Sequence, residues 1–287
     1  MSILAQLPLA PLAATVAMAV ACAVLSVFVV ARRWAFIGEG IGHSGFGGAG
    51  VAWLLMLAFP SLLNRPGVAY AAVAIFCLAM ALAIGYLSRG DRVAGDAAIG
   101  IFLVASLAFG FLAQQIFRHV RGADPAGFEA YLFGQLGAIE AASAGAVIAV
   151  SAAVLLTLAA LGKEIVAYCF DPLLAEASGV PAGAIHYLLM ILIAVTIIVG
   201  LPITGSVLVT ALLVLPGVTA TMLTRRLRGT LAIAVATALI AAFAGVIINA
   251  AWRFIPVGPA IVLVLFAQFL LAWFAAKVNL ARPSGAT

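Results

Sequence analysis

Nine runs of apolar residues, each long enough to cross a lipid bilayer, limit what this chain can fold into. A helix needs roughly 17–25 residues to cross a hydrocarbon core of about 30 Å. The runs occupy residues 9–31, 36–60, 67–87, 97–117, 136–161, 184–201, 203–223, 230–251 and 256–276. Since helices and closed barrels are the structures that satisfy backbone polar groups in lipid, runs of this length predict an all-α, polytopic membrane protein.

Two of these runs contain features that can interrupt a helix. Residues 200–205, with the sequence GLPITG, separate the sixth run from the seventh, and the second run begins within a glycine-rich stretch. Either region can be a broken or re-entrant segment, which is tolerated at membrane depth where protein or water covers the backbone. We therefore expect about nine spans, within a range of eight to ten.

The composition excludes a soluble domain and a nucleic-acid partner. The 287 residues are 67% hydrophobic and 8% charged, with a mean hydropathy of +1.30, whereas charged residues make up about a quarter of a soluble domain. The net charge is +5, but the basic residues form no stripe with interleaved aromatic residues, the pattern of nucleic-acid binding. No segment between runs approaches the roughly 50 residues of an independent domain, so we predict one transmembrane domain, 1–287.

The basic residues between the runs predict the orientation in the membrane. With nine spans, ten of the fourteen Lys and Arg residues fall on one side, which the positive-inside rule places in the cytoplasm. These ten are Arg32, Arg33, Arg89, Arg92, Lys163, Arg225, Arg226, Arg228, Lys277 and Arg282. We therefore expect the N-terminus outside and the C-terminus in the cytoplasm.

Seven of the thirteen residues in 38–50 are glycine, and Glu39 and His43 lie among them. Residues four apart share one face of a helix and lie roughly 6 Å apart along its axis. Ionisable groups at membrane depth are costly and usually face a cavity, a partner or an ion pathway, so the pair indicates a cation site. The alternative is tight helix packing through the small residues Gly38 and Gly42, with Glu39 near the membrane edge.

The chemistry of the pair limits which cation it can take. A carboxylate and an imidazole suit borderline ions such as Zn²⁺ or Mn²⁺. The three cysteines have no ligand-like spacing, so neither a thiolate site nor a disulfide framework is expected. Two ligands from one helix do not complete a coordination shell, and a second copy of the chain, or water, could supply the rest.

The loop at 170–180 carries the signals of a short capped helix. Asp171 is predicted to be its N-cap, Pro172 its first helical residue and Gly179 the residue just past its end. A helix of about two turns is marginal in water, so we expect it to dock on a soluble partner at the cytoplasmic face. The alternative is an ordinary capped turn.

The chain shows no means of driving transport by itself. It has no G-x-x-x-x-G-K-[ST] phosphate loop, so ATP binding and hydrolysis of the usual kind are not expected. Glu39 and Glu140 are the only acids in the predicted spans, which does not favour a proton-driven carrier.

Two further polar signals are weaker. We attribute the hydroxyls and prolines of 201–217 to helix packing, and we interpret the pair Asn249 and Arg253 as an interfacial anchor.

Six short blocks in this order resemble the membrane permease subunits of bacterial ABC importers for zinc, manganese and iron. The blocks are FIGEGIGHS at 36–44, DAAIGI at 96–101, YLFG at 131–134, FDPLLAEASGV at 170–180, GSVLVTALLVLP at 205–216 and PVGPAIVLV at 256–264. Each block is loose by itself, but six in the right order, over nearly the whole chain, are specific.

The resemblance implies a homodimeric permease with the helical architecture of vitamin B12 and siderophore importers. It implies two ATPase subunits on the cytoplasmic face, a metal-binding protein docking from outside, and no permanently bound cofactor or enzymatic activity. Glu39 and His43 would lie on the metal path. The residues implied to couple to the ATPase are Asp171, Pro172, Leu173, Leu174, Glu176 and Gly179.

The sequence departs from the resemblance at three positions. In the resemblance, relatives commonly carry aspartate at Glu39, alanine at Ser44 and an acid where Phe254 stands, so neither an acid at the outer opening nor the usual metal choice is expected to carry over. The alternatives are an importer of a metal chelate or corrinoid, an intramembrane metalloenzyme using Glu39 and His43, and a non-transporting scaffold. The absence of a ligand pattern such as H-E-x-x-H disfavours the enzyme.

Overall fold

The computed structural model describes residues 9–62, 66–89, 93–123, 141–252 and 254–281. Within these ranges the regular structure is helical throughout, as predicted. The helices are α1 (Leu9–Ala31), α2 (Ile37–Ala58), α3 (Pro66–Ser88), α4 (Gly95–Arg121), α5 (Ala141–Ala160), α6 (Gly162–Phe170), α7 (Pro172–Ala177), α8 (Ala182–Leu223), α9 (Leu227–Ala251) and α10 (Val257–Ala281), with a short 3₁₀ turn at Pro60–Leu62.

Eight helical segments in the described part of the chain are long and apolar enough to cross a membrane. The count becomes nine if α5 and α6, which are bent by 70° at their junction, form one broken span. The prediction of eight to ten spans is therefore confirmed. The predicted run 136–161 begins outside the described residues. Glu140 and the block at 131–134 also lie outside them.

The interruption predicted between the sixth and seventh runs lies inside α8, at Gly205. Its φ of 73° and ψ of 164° are not helical, and glycine adopts such angles readily because it has no Cβ. The glycine-rich second run behaves differently, since α2 is continuous from Ile37 to Ala58. The second of the two suspected interruptions is therefore absent from the structure.

Internal contacts divide the chain into two compact units. One comprises Met1–Arg33, Ile139–Leu155 and Ala211–Thr287, and the other comprises Trp34–Ala138 and Leu156–Thr210. Each unit combines segments that are far apart in sequence. The single domain expected from the short connecting segments stays a prediction.

The first unit packs through small residues. Helix α9 lies between α1 and α10, and Ala234, Ala238 and Ala241 on α9 are fully buried. Gly245 of α9 meets Ile261 of α10 so closely that a Cβ there would clash. Alanine and glycine thus let these helices approach closely, as small residues do in membranes.

The second unit is built around α2. Helices α3 and α4 pack on α2, and the glycines make this possible on more than one face. A Cβ at Gly48 would lie 2.6 Å from the Val73 backbone, and one at Gly50 would lie 3.0 Å from the Ala113 side chain. The glycine run therefore serves close packing, and the role of Glu39 and His43 must be judged from their own surroundings.

Candidate functional site

Glu39 and His43 form a contact on the first turns of α2. Nε2 of His43 lies 2.8 Å from Oε2 of Glu39, as the four-residue spacing predicts for a helix. The Glu39 side chain is 35% exposed and the His43 side chain is 22% exposed, so both side chains are partly buried. Glu39 also lies in the first helical turn, where the helix dipole favours a negative charge.

The contact determines how the imidazole is oriented for binding. An ionised carboxylate only accepts hydrogen bonds, so Nε2 of His43 carries the hydrogen and donates it to Glu39. In a neutral imidazole the lone pair is then on Nδ1. That Nδ1 atom is buried and has no hydrogen-bond partner among the described residues. A histidine held by a carboxylate through one nitrogen is a common arrangement of metal-binding histidines.

A separate face of α2 packs against α8. Gly45 lies next to Leu201, Gly42 next to Ser206 and Gly38 next to Thr210. Because the α8 numbers rise as the α2 numbers fall, the two segments run antiparallel. A Cβ at Gly38 would lie 3.2 Å from Cα of Thr210, and one at Gly42 would lie 3.4 Å from Cβ of Ser206.

These contacts bring the polar residues after the Gly205 break to the glycines that flank Glu39 and His43. Gly38, Gly42 and Gly45 thus form a packing face of α2, and Glu39 and His43 lie on the neighbouring face of the same helix.

The pair is not a closed metal site in one chain. Among the described residues no group of three or more His, Cys, Asp or Glu side chains could hold a metal ion. No third side chain of these types therefore lies with Glu39 and His43 in the described part of the chain, and their role in metal binding stays a prediction.

Ser44, one of the departures from the resemblance, is not part of the pair. Its side chain is fully buried, and its hydroxyl donates to the Gly40 carbonyl at 2.7 Å and lies 3.3 Å from Oγ of Ser106 on α4. It therefore fastens α2 to α4. Phe254, the third departure, is 82% exposed.

The predicted short helix is α7, and its caps are formed as expected. Oδ1 of Asp171 accepts hydrogen bonds from the backbone of Leu173 at 3.0 Å and of Leu174 at 3.1 Å, and Pro172 is the first helical residue. At the other end Gly179 has a φ of 84°. These features fix a helix of six residues at both ends.

The C-terminal cap of α7 is a Schellman motif. The Gly179 amide donates to the Glu176 carbonyl at 3.0 Å, and the Val180 amide donates to the Ala175 carbonyl at 2.9 Å. The positive φ of Gly179 is what closes this pair of bonds, because a residue with a Cβ is strained in that conformation.

The surface of α7 is apolar and open. Leu173 and Leu174 are 79% and 64% exposed, and the preceding Phe170 is 81% exposed, whereas Ala175 is buried and anchors the helix. Glu176 is exposed beside them. Exposed apolar side chains grouped on a short segment are typical of interaction surfaces.

The sequence analysis missed a buried hydrogen-bond network that adjoins α7. His186 of α8 is buried, with Nε2 2.9 Å from the Gly85 carbonyl of α3 and Nδ1 2.7 Å from the Tyr168 hydroxyl of α6. Because a carbonyl only accepts, Nε2 donates to it, and in the neutral imidazole the Tyr168 hydroxyl donates to Nδ1. The signal was a histidine inside an apolar run, but partners 18 and 101 residues away cannot be inferred from spacing.

Asn249, one of the weaker polar signals, makes a hydrogen bond within the chain. Nδ2 of Asn249 donates to the Ile255 carbonyl at 2.7 Å and so fastens the connection between α9 and α10. Arg253, its suggested companion, lies outside the described residues.

Comparison with known proteins supports the resemblance over nearly the whole chain. Residues 6–276 match the ABC 3 transport family. The chain is similar to the manganese transport system membrane protein MntC of Halalkalibacterium halodurans, with 32% identity over 265 residues that cover 92% of this chain and 85% of that protein. It is also similar to the chelated iron transport system membrane protein YfeD of Yersinia pestis, with 31% identity over 82% of this chain and 74% of that protein.

The fold has a counterpart among solved structures. The structure of PsaBC from Streptococcus pneumoniae in complex with Fab matches with a TM-score of 0.74 at 24% identity, over 92% of this chain and 90% of that chain. The helical membrane fold predicted from the sequence is thus confirmed. This chain is a multi-pass membrane protein that belongs to the ABC 3 transport family.

Proposed function

We propose that this chain is the permease subunit of an ABC importer that moves a divalent transition metal ion, manganese, zinc or iron, into the cytoplasm. The observation that carries the proposal is the contact between Glu39 and His43, a carboxylate and an imidazole 2.8 Å apart and partly accessible on a buried, glycine-rich helix. Family membership and the relatives named for manganese and chelated iron transport support it.

Glu39 and His43 have the chemical properties needed to bind a divalent cation during transport. The Glu39 carboxylate supplies a negative charge, which offsets part of the cost of placing a divalent cation in apolar surroundings. The imidazole of His43 supplies a nitrogen lone pair once it is unprotonated. Since one chain supplies too few donors to close the site, the ion can leave when the surroundings change.

A second copy of the chain would complete the site. Two chains related by symmetry would bring together two Glu39 carboxylates and two His43 imidazoles, which makes four donors. Four is the coordination number common for zinc, and water could supply further positions for manganese. The functional permease would therefore be a homodimer.

Energy for transport would come from ATPase subunits that dock on α7. Its exposed Leu173 and Leu174 suit an apolar groove, and its caps hold the helix in shape without help from a partner. Helix α6, which ends directly before α7, is bonded to α8 through Tyr168 and His186. A displacement of α7 would thus reach α8, which packs beside the metal pair.

The basic residues and the docking helix suggest one orientation. Lys163 lies in the first turn of α6 and Arg225 lies two residues before α9, and both belong to the basic group expected in the cytoplasm. The ATPase would bind at this side, and a metal-binding protein would deliver the ion at the other.

The second candidate is a permease for a metal chelate, which the name of the Yersinia pestis relative suggests. Such a cargo would bring its own ligands and would not need Glu39 or His43.

The test is uptake into vesicles that contain the purified complex with its ATPase, supplied in turn with Mn²⁺, Zn²⁺, Fe²⁺ and a ferric chelate. ATP-dependent accumulation of a free ion supports the proposal, whereas accumulation of the chelate alone contradicts it.

A further inference from the structure

Ser206 carries a buried hydroxyl that the packing of α8 leaves without a partner. The residue is 2% exposed, and its Oγ has no hydrogen-bond partner among the described residues. Buried hydroxyls in helices usually donate to a carbonyl three or four residues earlier, as Thr196 does to Leu192 on the same helix. The non-helical Gly205 stands directly before Ser206 and disrupts this local arrangement.

The position of Ser206 points to a use for its hydroxyl. Cβ of Ser206 lies 3.4 Å from the place where a Gly42 side chain would begin, and Gly42 directly precedes His43. Nδ1 of His43 is itself buried and without a hydrogen-bond partner in the described part of the chain. Ser206, with its unpaired hydroxyl, therefore contacts Gly42, and the unpaired Nδ1 belongs to the next residue of α2. Unsatisfied buried groups in native proteins often indicate an ion, a water or a catalytic role.

The neighbouring Thr210 shows that packing alone does not explain Ser206. Thr210 also contacts α2, at Gly38 and Gly42, but its hydroxyl donates to the Ser206 carbonyl at 2.9 Å. Its hydrogen-bonding capacity is used within α8. If small size were the requirement at 206, alanine would fill the position without burying an unpaired hydroxyl, which is destabilising.

We propose that Ser206 provides a donor, a neutral hydroxyl oxygen, to a divalent cation that binds Nδ1 of His43, while Glu39 holds the imidazole through Nε2. This inference rests on the proposed function and adds a determinant of metal choice. A hydroxyl increases the number of oxygen donors without adding negative charge. Oxygen donors favour harder ions such as Mn²⁺, whereas sulfur donors favour softer ones.

The test measures binding of Mn²⁺ and Cd²⁺ to the purified full-length chain in lipid nanodiscs. Ser206→Ala should weaken Mn²⁺ binding roughly tenfold, a loss comparable to that of other supporting groups at metal sites. Ser206→Cys keeps a similar volume but offers sulfur, so it should raise the affinity for Cd²⁺ relative to Mn²⁺. Thr210→Val is the matched control, because it removes a hydroxyl that faces the same helix but is already bonded, and it should leave both affinities unchanged.

The outcomes separate this inference from the proposed function. A change of metal preference in Ser206→Cys that disappears when His43→Ala is added supports the inference, because a thiol exposed by misfolding would bind Cd²⁺ with or without His43. Unaltered Mn²⁺ and Cd²⁺ binding in both Ser206 variants, together with loss of binding in Glu39→Ala, overturns the inference and leaves the proposed function standing. Unaltered binding in Glu39→Ala and His43→Ala overturns both.

Discussion

Glu39 and His43 stabilise each other in a place where neither is well solvated. Each is partly buried on α2, and a single hydrogen bond contributes only about 1 kcal/mol net to folding. The pair is thus better explained by binding than by stability. This difference can be tested, because a structural pair and a binding pair respond differently to the loss of one charge.

Glu39→Gln is expected to abolish metal uptake while leaving the protein folded. Glutamine still accepts the hydrogen bond from Nε2 of His43 but has no charge to balance a divalent ion. Uptake of radioactive Mn²⁺ into proteoliposomes should fall at least tenfold, with the midpoint of thermal unfolding unchanged. Ser44→Ala is the control, because it alters a buried hydroxyl of the same helix that does not contact the pair. If Glu39→Gln transports normally, the pair is structural.

Residue-scale prediction succeeded where the signal was local. Glu39 and His43 could be found because a four-residue spacing on a helix predicts a contact without knowledge of the fold, and Asp171 with Gly179 could be found because caps are local too. Ser206 and His186 could not be assigned a role, since their partners or neighbours come from helices far away in sequence. A buried hydroxyl left without a partner is visible only in three dimensions.

At the scale of elements, the Gly205 break is the feature that sets the course of α8. Its φ and ψ fall in a region that is essentially restricted to glycine, and Ser206, which contacts α2, follows at once. The break therefore determines which residues of α8 face the glycines of α2.

Gly205→Ala is expected to destabilise the protein and to impair transport. Alanine at this conformation costs of order 1–3 kcal/mol, and relief of that strain would shift Ser206 away from α2. Thermal unfolding in detergent should occur at a lower temperature, and Mn²⁺ uptake should decrease. Gly100→Ala on α4 is the matched control, because a Cβ there would meet nothing within 4 Å and alanine favours a helix. Equal effects of the two substitutions would contradict a special role of the break.

Helix α7 is the second element with a role of its own. Its six residues are too few for a stable isolated helix, yet the Asp171 cap and the Schellman motif hold them while Leu173 and Leu174 stay exposed. Two local caps thus hold a short helix with exposed leucines in one conformation, and we propose that this helix contacts the ATPase.

Leu173→Glu is expected to uncouple ATP hydrolysis from transport. A charge on this exposed position would have to be desolvated in an apolar groove, which is unfavourable. The ATPase would then hydrolyse ATP at a rate that no longer depends on the transported ion, or would fail to copurify, and Mn²⁺ uptake should be lost. Leu173→Met keeps the apolar contact and should transport normally. Normal uptake by Leu173→Glu would place the docking surface elsewhere.

At the scale of the whole molecule, the class of fold was predictable because lipid permits few structures. Long apolar runs imply helices, and eight or nine of them follow from length alone. The division into two compact units could not be predicted, since each unit combines segments such as Met1–Arg33 and Ala211–Thr287 that are distant in sequence. Contacts between such segments depend on small-residue packing, for which apolar composition gives no partner information.

The two donors per chain lead to a prediction about assembly. A divalent transition metal takes four to six ligands, and the described residues of one chain place no third His, Cys, Asp or Glu at Glu39 and His43. If two copies share one ion, the purified permease should bind one Mn²⁺ per two chains at saturation. Equilibrium dialysis with quantified protein measures this ratio directly.

A tandem fusion of two chains extends the test to transport. A fusion with Glu39→Gln in one copy retains three of the four Glu39 and His43 side chains and should lose most of its uptake. A fusion with Ser44→Ala in one copy should keep it. If each chain binds its own ion, the ratio would instead be one ion per chain, and the half-substituted fusion would retain about half of its activity, because independent sites contribute additively.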